Sequence, residues 1–152
     1  MATGDGVNAI KNNLAAIAKD PSSILKKAAE AVLDDIITER IDGEKTIEGG
    51  PMPKNAEATI RAKRRKGRSP ADHSLWDSQT LRKKTSWDIR KVKKTLVYLE
   101  PKGIVAKRSL HVQRLGYDFF GVSKEGSKAA DEAMEKQLRK ELEKNVPGLT
   151  KG

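Results

Sequence analysis

The residues best suited to chemistry are a run of cations that leads into a short apolar segment. The cations are Lys63, Arg64, Arg65, Lys66 and Arg68. The apolar segment follows shortly after and reads Leu75-Trp76-Asp77-Ser78-Gln79-Thr80-Leu81-Arg82. Cations bind phosphates and acidic protein surfaces, and adjacent apolar side chains can anchor the segment that carries them. This pairing indicates docking rather than catalysis.

The histidines offer no catalytic or metal site. His73 and His111 are the only two, the chain has no cysteine, and neither histidine has a second histidine nearby in sequence. A zinc site or a Ser-His-Asp arrangement would need partners from distant parts of the chain. We interpret both histidines as structural, and we predict no metal site.

Acidic pairs and glycines give no catalytic pattern either. Neighbouring acids such as Asp34 and Asp35 point about 100° apart on a helix, so they cannot face one substrate together. The segment from Gly121 to Gly126 lacks the Lys-Ser/Thr ending of a phosphate-binding loop. The sequence therefore predicts a protein that is not an enzyme and uses no cofactor.

Two classes of partner suit the cations, an acidic protein surface and nucleic acid. The cationic run contains no aromatic residue on which bases could stack. This favours an acidic protein surface, with a small basic nucleic-acid-binding protein as the alternative.

Composition predicts a single domain, residues 1–152, with a small core. The chain has a net charge of +10, and 36% of its residues are hydrophobic against 34% charged. Low hydrophobicity with high charge indicates that part of the chain gains order from partners. No apolar run approaches the roughly 18 residues of a membrane span, so we expect a soluble protein with no membrane partner.

The elements that must position these residues follow from apolar spacing and turn signals. Val7, Ile10, Leu14 and Ile17 predict a first helix, and Asp20-Pro21 predicts the start of a second over residues 21–40. Gly and Pro make 44–74 an extended or mobile basic arm, with a short helix after Asn55.

The second half of the chain predicts a small sheet and a last helix. Alternating apolar residues from Trp87 to Val105, with turns between them, predict a small antiparallel β-meander. Residues 110–120 fit neither strand nor loop clearly. Ser123 begins a C-terminal helix that packs on the sheet, and the fold class is α+β.

Two motifs resemble a family of small tailed-bacteriophage proteins. There, a basic Gly-rich segment precedes Pro-Leu-x-Asp-Thr/Ser-Gly-x-Leu-Arg, which residues 74–82 fill except for Ser74 in place of Pro and Gln79 in place of Gly. Phe119-Phe120-Gly121-Val122-Ser123 is similar to the family's Phe-Leu-Gly-Leu-Ser element. The family is that of tail-completion or tail-terminator proteins, also called virion morphogenesis or head-tail joining proteins.

The resemblance implies a structural protein of the virion. Subunits of this kind assemble in the host cytoplasm as homo-oligomeric rings, expected to be hexamers, at the top of the tail. The implied partners are the tail tube and the head-tail connector proteins, with contact to packaged DNA in passage. Neighbours in such a ring would cover exposed Trp and Phe side chains.

Overall fold

The computed structural model describes residues 4–68, 70–75, 80–115 and 117–149. Two helices open the chain as predicted, α1 (Gly4–Lys19) and α2 (Ser22–Asp35). The carboxylate of Asp20 accepts a hydrogen bond from Ser22 N at 3.1 Å, which satisfies an amide at the start of α2. α2 continues into a π-helical segment, Ile36–Asp42, which ends before Gly43. A Cβ at Gly43 would lie 2.5 Å from Glu39 O, so a side chain is excluded at this stop.

The predicted arm, 44–74, is only partly extended. α3 (Glu57–Arg65) occupies its centre, and Lys45 and Pro51 form an isolated antiparallel bridge. The side chains of Met52, Ala71 and His73 are buried. Gly67 adopts a φ of +66°, which turns the chain back after α3. The glycines and prolines therefore shape turns here, and much of the segment folds against the rest of the chain.

The sheet is a two-stranded hairpin of β1 (Trp87–Lys93) and β2 (Leu96–Pro101). The strands are antiparallel, with Ile89 opposite Leu99 and a register shift between Lys91 and Lys93. The continuation of the meander after residue 101 was wrong, because residues there form α4 (Gly103–Arg114). Val105 and Val112 are seven residues apart and so lie on one face of this helix, where both pack into or against the core.

The last helix is α5 (Lys124–Leu142), and its predicted start is confirmed. Ser123 Oγ accepts a hydrogen bond from Gly126 N at 2.8 Å. α2 packs against both strands, and α5 packs against α2. The α+β class is thus confirmed, with helices layered on a small antiparallel sheet.

The core lies between α2, the hairpin, α4 and the loop before α5. Trp87 and Phe119 are buried in it, so these two aromatic residues are not the exposed surface that the resemblance led us to expect. Apolar exposure comes instead from aliphatic side chains such as Val7 and Leu14 of α1. No described helix is long and apolar enough to span a membrane. The described core side chains are Val32, Leu33, Ile36, Ile37, Ile41, Met52, Leu75, Leu81, Trp87, Val105 and Phe119.

Candidate docking surface

α3 presents a face of arginines to solvent. Arg61, Arg64 and Arg65 line a surface depression of about 350 Å³, and exposed Lys66 follows at the end of the helix. The spacing of three and four residues places Arg61, Arg64 and Arg65 on neighbouring positions of the helix surface. Glu57 lies one turn before Arg61, with 3.7 Å between their charged groups. We call Arg61, Arg64, Arg65 and Lys66 the α3 cationic face.

Two of the five predicted cations, Lys63 and Arg68, are not fully exposed and are not part of the α3 cationic face. Lys63 is buried, and its Nζ donates a hydrogen bond to His73 O at 2.8 Å. It lies three residues after half-buried Ile60, on the side of α3 that faces the rest of the chain. Arg68 is half-buried. The cations available to a partner are therefore Arg64, Arg65 and Lys66 from the predicted set, together with Arg61.

Polar contacts hold α3 to the chain that follows it. Asn55 Nδ2 donates to His73 O at 3.0 Å, and Ser74 N donates to Glu44 Oε1 at 2.6 Å. His73 Nε2 lies 3.1 Å from Asp42 O. Together with Lys63, the side chains of Asn55, Glu44 and His73 form what we call the polar clasp. His73 thus has a structural place, and no described group of three or more His, Asp or Glu is arranged to hold a metal ion.

The apolar anchor after the cations joins the core where it is described. Leu75 and Leu81 are buried beside Trp87, whose Nε1 donates to Leu81 O at 2.8 Å. Arg82 pairs with Asp42: Nη2 donates a hydrogen bond to Oδ2 at 3.2 Å, and Nε lies 3.1 Å from Oδ1. This ion pair joins the end of the motif to the end of the π-helical segment. Trp76 and Asp77, which the sequence also predicts as anchors, lie outside the described residues.

The second motif meets the first in the same core. Phe119 is fully buried, and Phe120 stacks on Trp87 with ring centroids 5.7 Å apart. A Cβ at Gly121 would come within 2.6 Å of Ile47 Cδ1, so a larger residue here would require the end of the Ile47 side chain to move. The two segments that carry the resemblance are therefore brought together, although nearly forty residues of sequence lie between Arg82 and Phe119.

Sequence reasoning missed a second cationic surface, on α4. Lys107, His111 and Arg114 are exposed at spacings of four and three residues, which places them along one side of the helix. Residues 102–115 contain no acid. The spacing and the absence of acids are visible in the sequence, but the predicted meander runs to Val105 and residues 110–120 have no assigned element, so the helix is not recognised.

A buried ion pair was also missed. Arg40 Nη2 lies 2.8 Å from Asp35 Oδ2, and both residues are buried. Ser123 Oγ donates to the same carboxylate oxygen at 2.9 Å, and Arg40 Nη1 donates to Thr46 O at 3.2 Å. The sequence feature that could have revealed this pair is an acid and a base five residues apart, in the apolar stretch where α2 continues into the π-helical segment. Because a buried charge needs a partner, such a pair is expected to interact.

The arrangement presents exposed cations to which an anionic surface can dock. The α3 cationic face is carried on a helix whose opposite side is fixed by the polar clasp. Comparisons of the chain with protein-family models, with curated proteins and with solved structures find no match.

Proposed function

We propose that this chain is a structural subunit of a tailed bacteriophage. It forms a ring at the head-tail junction and acts as a tail terminator or tail-completion protein. The resemblance of the two motifs is the basis of the proposal. One observation supports it most, namely that Leu75, Leu81 and Phe119 of those motifs pack in a single core that also contains Trp87.

In this proposal the α3 cationic face binds an acidic face of the adjoining tail-tube or connector protein. Its four cations are exposed, while the polar clasp holds the other side of α3 to the chain. A ring repeats this face around its axis, so several weak contacts act together. Attraction between such exposed charges is screened over about 8–10 Å at physiological salt, which makes docking dependent on salt.

Exposed apolar side chains supply surface for neighbouring subunits. Val7, Leu14, Leu110, Leu115 and Val122 are all more than 40% exposed. Apolar patches at a protein surface often mark interfaces with other chains. The hexameric stoichiometry of the ring comes from the resemblance alone.

The test replaces three cations of the α3 cationic face. The docking variant is Arg64→Gln/Arg65→Gln/Lys66→Gln, and the control is Lys128→Gln/Lys136→Gln/Lys140→Gln on the exposed side of α5. Each lowers the net charge by three, from +10 to +7. Three exposed ion pairs of roughly 0.2–1 kcal/mol each amount to about a tenfold loss of affinity per subunit.

The expected phenotype of the docking variant is separate heads and tails, or tails of uncontrolled length, in electron micrographs. The control variant should give joined particles. If the docking variant joins and infects normally, the α3 cationic face has no such role. If particles that lack the whole chain join and infect normally, the proposed function itself is wrong.

A small basic nucleic-acid-binding protein is the second candidate, and α4 is the observation that favours it. Its exposed cations and lack of acids suit a phosphate backbone, which carries one charge per roughly 3.4 Å of each strand. Measuring particle mass at low and high salt, with and without nuclease, separates the two candidates. A nuclease-resistant ring supports the virion protein, and a salt-labile nucleoprotein supports the second candidate.

A further inference from the structure

The outer edge of β2 has no strand beside it in the described part of the chain. β2 pairs with β1 on one side, and no backbone hydrogen bond joins residues 96–100 to any described residue outside β1. An edge strand of this kind presents unpaired amide and carbonyl groups. A hairpin of two strands is also only marginally stable by itself, and further strands stabilise it.

The two strands differ in how well their edges are protected. β1 carries Arg90, Lys91 and Lys93, and charged side chains, lysine above all, discourage pairing at an edge. β2 has the sequence Leu-Val-Tyr-Leu-Glu-Pro, so Glu100 is its one charged residue. The edge of β2 is therefore the one that can accept another strand.

We infer that β2 pairs with β2 of a second copy of this chain, antiparallel and about a two-fold axis. The product is a four-stranded sheet in the order β1, β2, β2, β1. The β2 edge of each copy is then paired, and the two β1 strands, which carry the lysines, form the outer edges of the sheet. Such an interface uses the same patch on both copies and closes on itself, so it does not lead to open polymers.

Charge favours the antiparallel arrangement. Lys93 and Lys94 are exposed just before β2. Glu100 lies near its end, where it pairs with Arg90 of the same chain at 3.0 Å and keeps about half of its side chain exposed. Antiparallel pairing brings Glu100 of each copy towards the Lys93 and Lys94 end of the other. Parallel pairing would bring like charges together, and like charges opposite each other are destabilising.

The inner side of β2 adds apolar area to this interface. Val97 and Leu99 line a groove of about 450 Å³ together with residues of α2, including Leu25 and Ala28. Val122 lies at the same groove and is 60% exposed. A second copy seated on β2 extends the sheet above this groove and removes part of its apolar lining from water.

Single cysteines test the pairing, because the natural chain has none. Tyr98→Cys places a thiol on β2, and Val92→Cys places one on β1 at a closely matched exposure, 46% against 41% for the natural side chains. Residues on directly paired strands lie about 5–8 Å apart. The two copies of Val92 would be separated by at least three strand spacings, about 14 Å. A short bis-maleimide should therefore crosslink Tyr98→Cys at least about tenfold faster than Val92→Cys, because the two thiols of Tyr98→Cys have the higher effective concentration.

The natural chain provides a second measurement that needs no variant. Its mass by sedimentation should rise with concentration from 16.7 kDa towards 2 × 16.7 kDa. Equal crosslinking rates for the two cysteines, in variants with the circular dichroism of the natural chain, would overturn the inference, as would a mass of 16.7 kDa at every concentration. The inference is independent of the proposed function. A ring is built from head-to-tail contacts, which differ from the β2 pairing, and the proposed function is tested in phage particles rather than with the isolated chain.

Discussion

Asp35 and Arg40 are opposite charges that lie almost entirely out of contact with water. Their charged groups are 2.8 Å apart, and each makes a further hydrogen bond, from Ser123 to Asp35 and from Arg40 to Thr46 O. A buried pair adds little net stability over an apolar replacement, because both charges must lose their hydration. Removal of one partner alone is costly, since the other charge then stays buried without compensation.

Asp35→Ala should therefore lower the free energy of unfolding by about 3–5 kcal/mol. The neighbouring residue offers a matched control, because Asp34 is half exposed and pairs with Lys84 at the surface. Asp34→Ala should cost no more than about 1 kcal/mol. Urea denaturation measures both. Equal losses in the two variants would show that the Asp35 pair is not buried in solution.

At the scale of elements, Asp20 ties the junction of α1 and α2 to β1. Its carboxylate accepts hydrogen bonds from Lys91 Nζ at 2.6 Å and from Ser22 N at 3.1 Å. The Lys91 hydrogen bond, followed by that of Ser22, holds the pKa of Asp20 well below the usual range. The ionised carboxylate is therefore the form that the folded state favours.

The stabilisation from Asp20 should depend on pH in the direction typical of a lowered carboxyl pKa. It is fully present above the pKa of the unfolded chain, about 3.9, and is lost as the pH falls towards the lower folded value. The natural chain should be more stable than Asp20→Asn at pH 7 and pH 5, with a smaller difference at pH 3. Urea denaturation at each pH gives the comparison. A difference that stays constant from pH 7 to pH 3 would contradict this prediction.

The segment around α3 is held mainly by polar contacts, so it should open before the core does. The predicted mobility of 44–74 is tested by trypsin, which should cut at Arg64, Arg65 and Lys66 earlier than elsewhere. Lys63→Ala removes the Lys63 to His73 O hydrogen bond of the polar clasp. A hydrogen bond from a charged group contributes about 1.5–3 kcal/mol, so cleavage should become at least about tenfold faster.

Lys54→Ala is the control for this experiment, because Lys54 is exposed in the same segment. Its cleavage rate at the α3 sites should match that of the natural chain. Equal rates in Lys63→Ala and Lys54→Ala would show that the polar clasp does not hold the segment closed.

At the scale of the whole molecule, the parts that the sequence predicts well are those with local signals. Asp20-Pro21 and Gly43 bound the second helix, and Ser123 caps the last one through an amide three residues away. α4 was missed because its burial depends on distant residues. Val105 is buried against a core built from α2 and the hairpin, and only this contact distinguishes its apolar pattern from that of a strand.

The candidate docking surface likewise combines features with a local sequence signal and features that depend on contacts between distant residues. Composition alone predicts that Arg64, Arg65 and Lys66 are exposed cations. The burial of Lys63 depends on the position of the backbone at His73, ten residues further on. The pairing of Arg82 with Asp42 spans 40 residues and has no local signal at all. The sequence therefore predicts which residues are cationic, and the tertiary structure decides which of them are available.

The hydrogen bond from Ser123 to Asp35 also has a consequence for the order in which the chain folds. The two residues are 88 positions apart, so this contact closes a long loop. At about 5–20 residues per second, synthesis of the intervening chain takes roughly 4–18 s. During that interval Arg40, only five residues away, is the partner that Asp35 can find locally. Asp35 at the end of α2 can therefore accept its hydrogen bond from Ser123 only after Ser123 has been synthesised. Ser123 also caps α5, so one residue both begins the last helix and joins it to the first part of the chain.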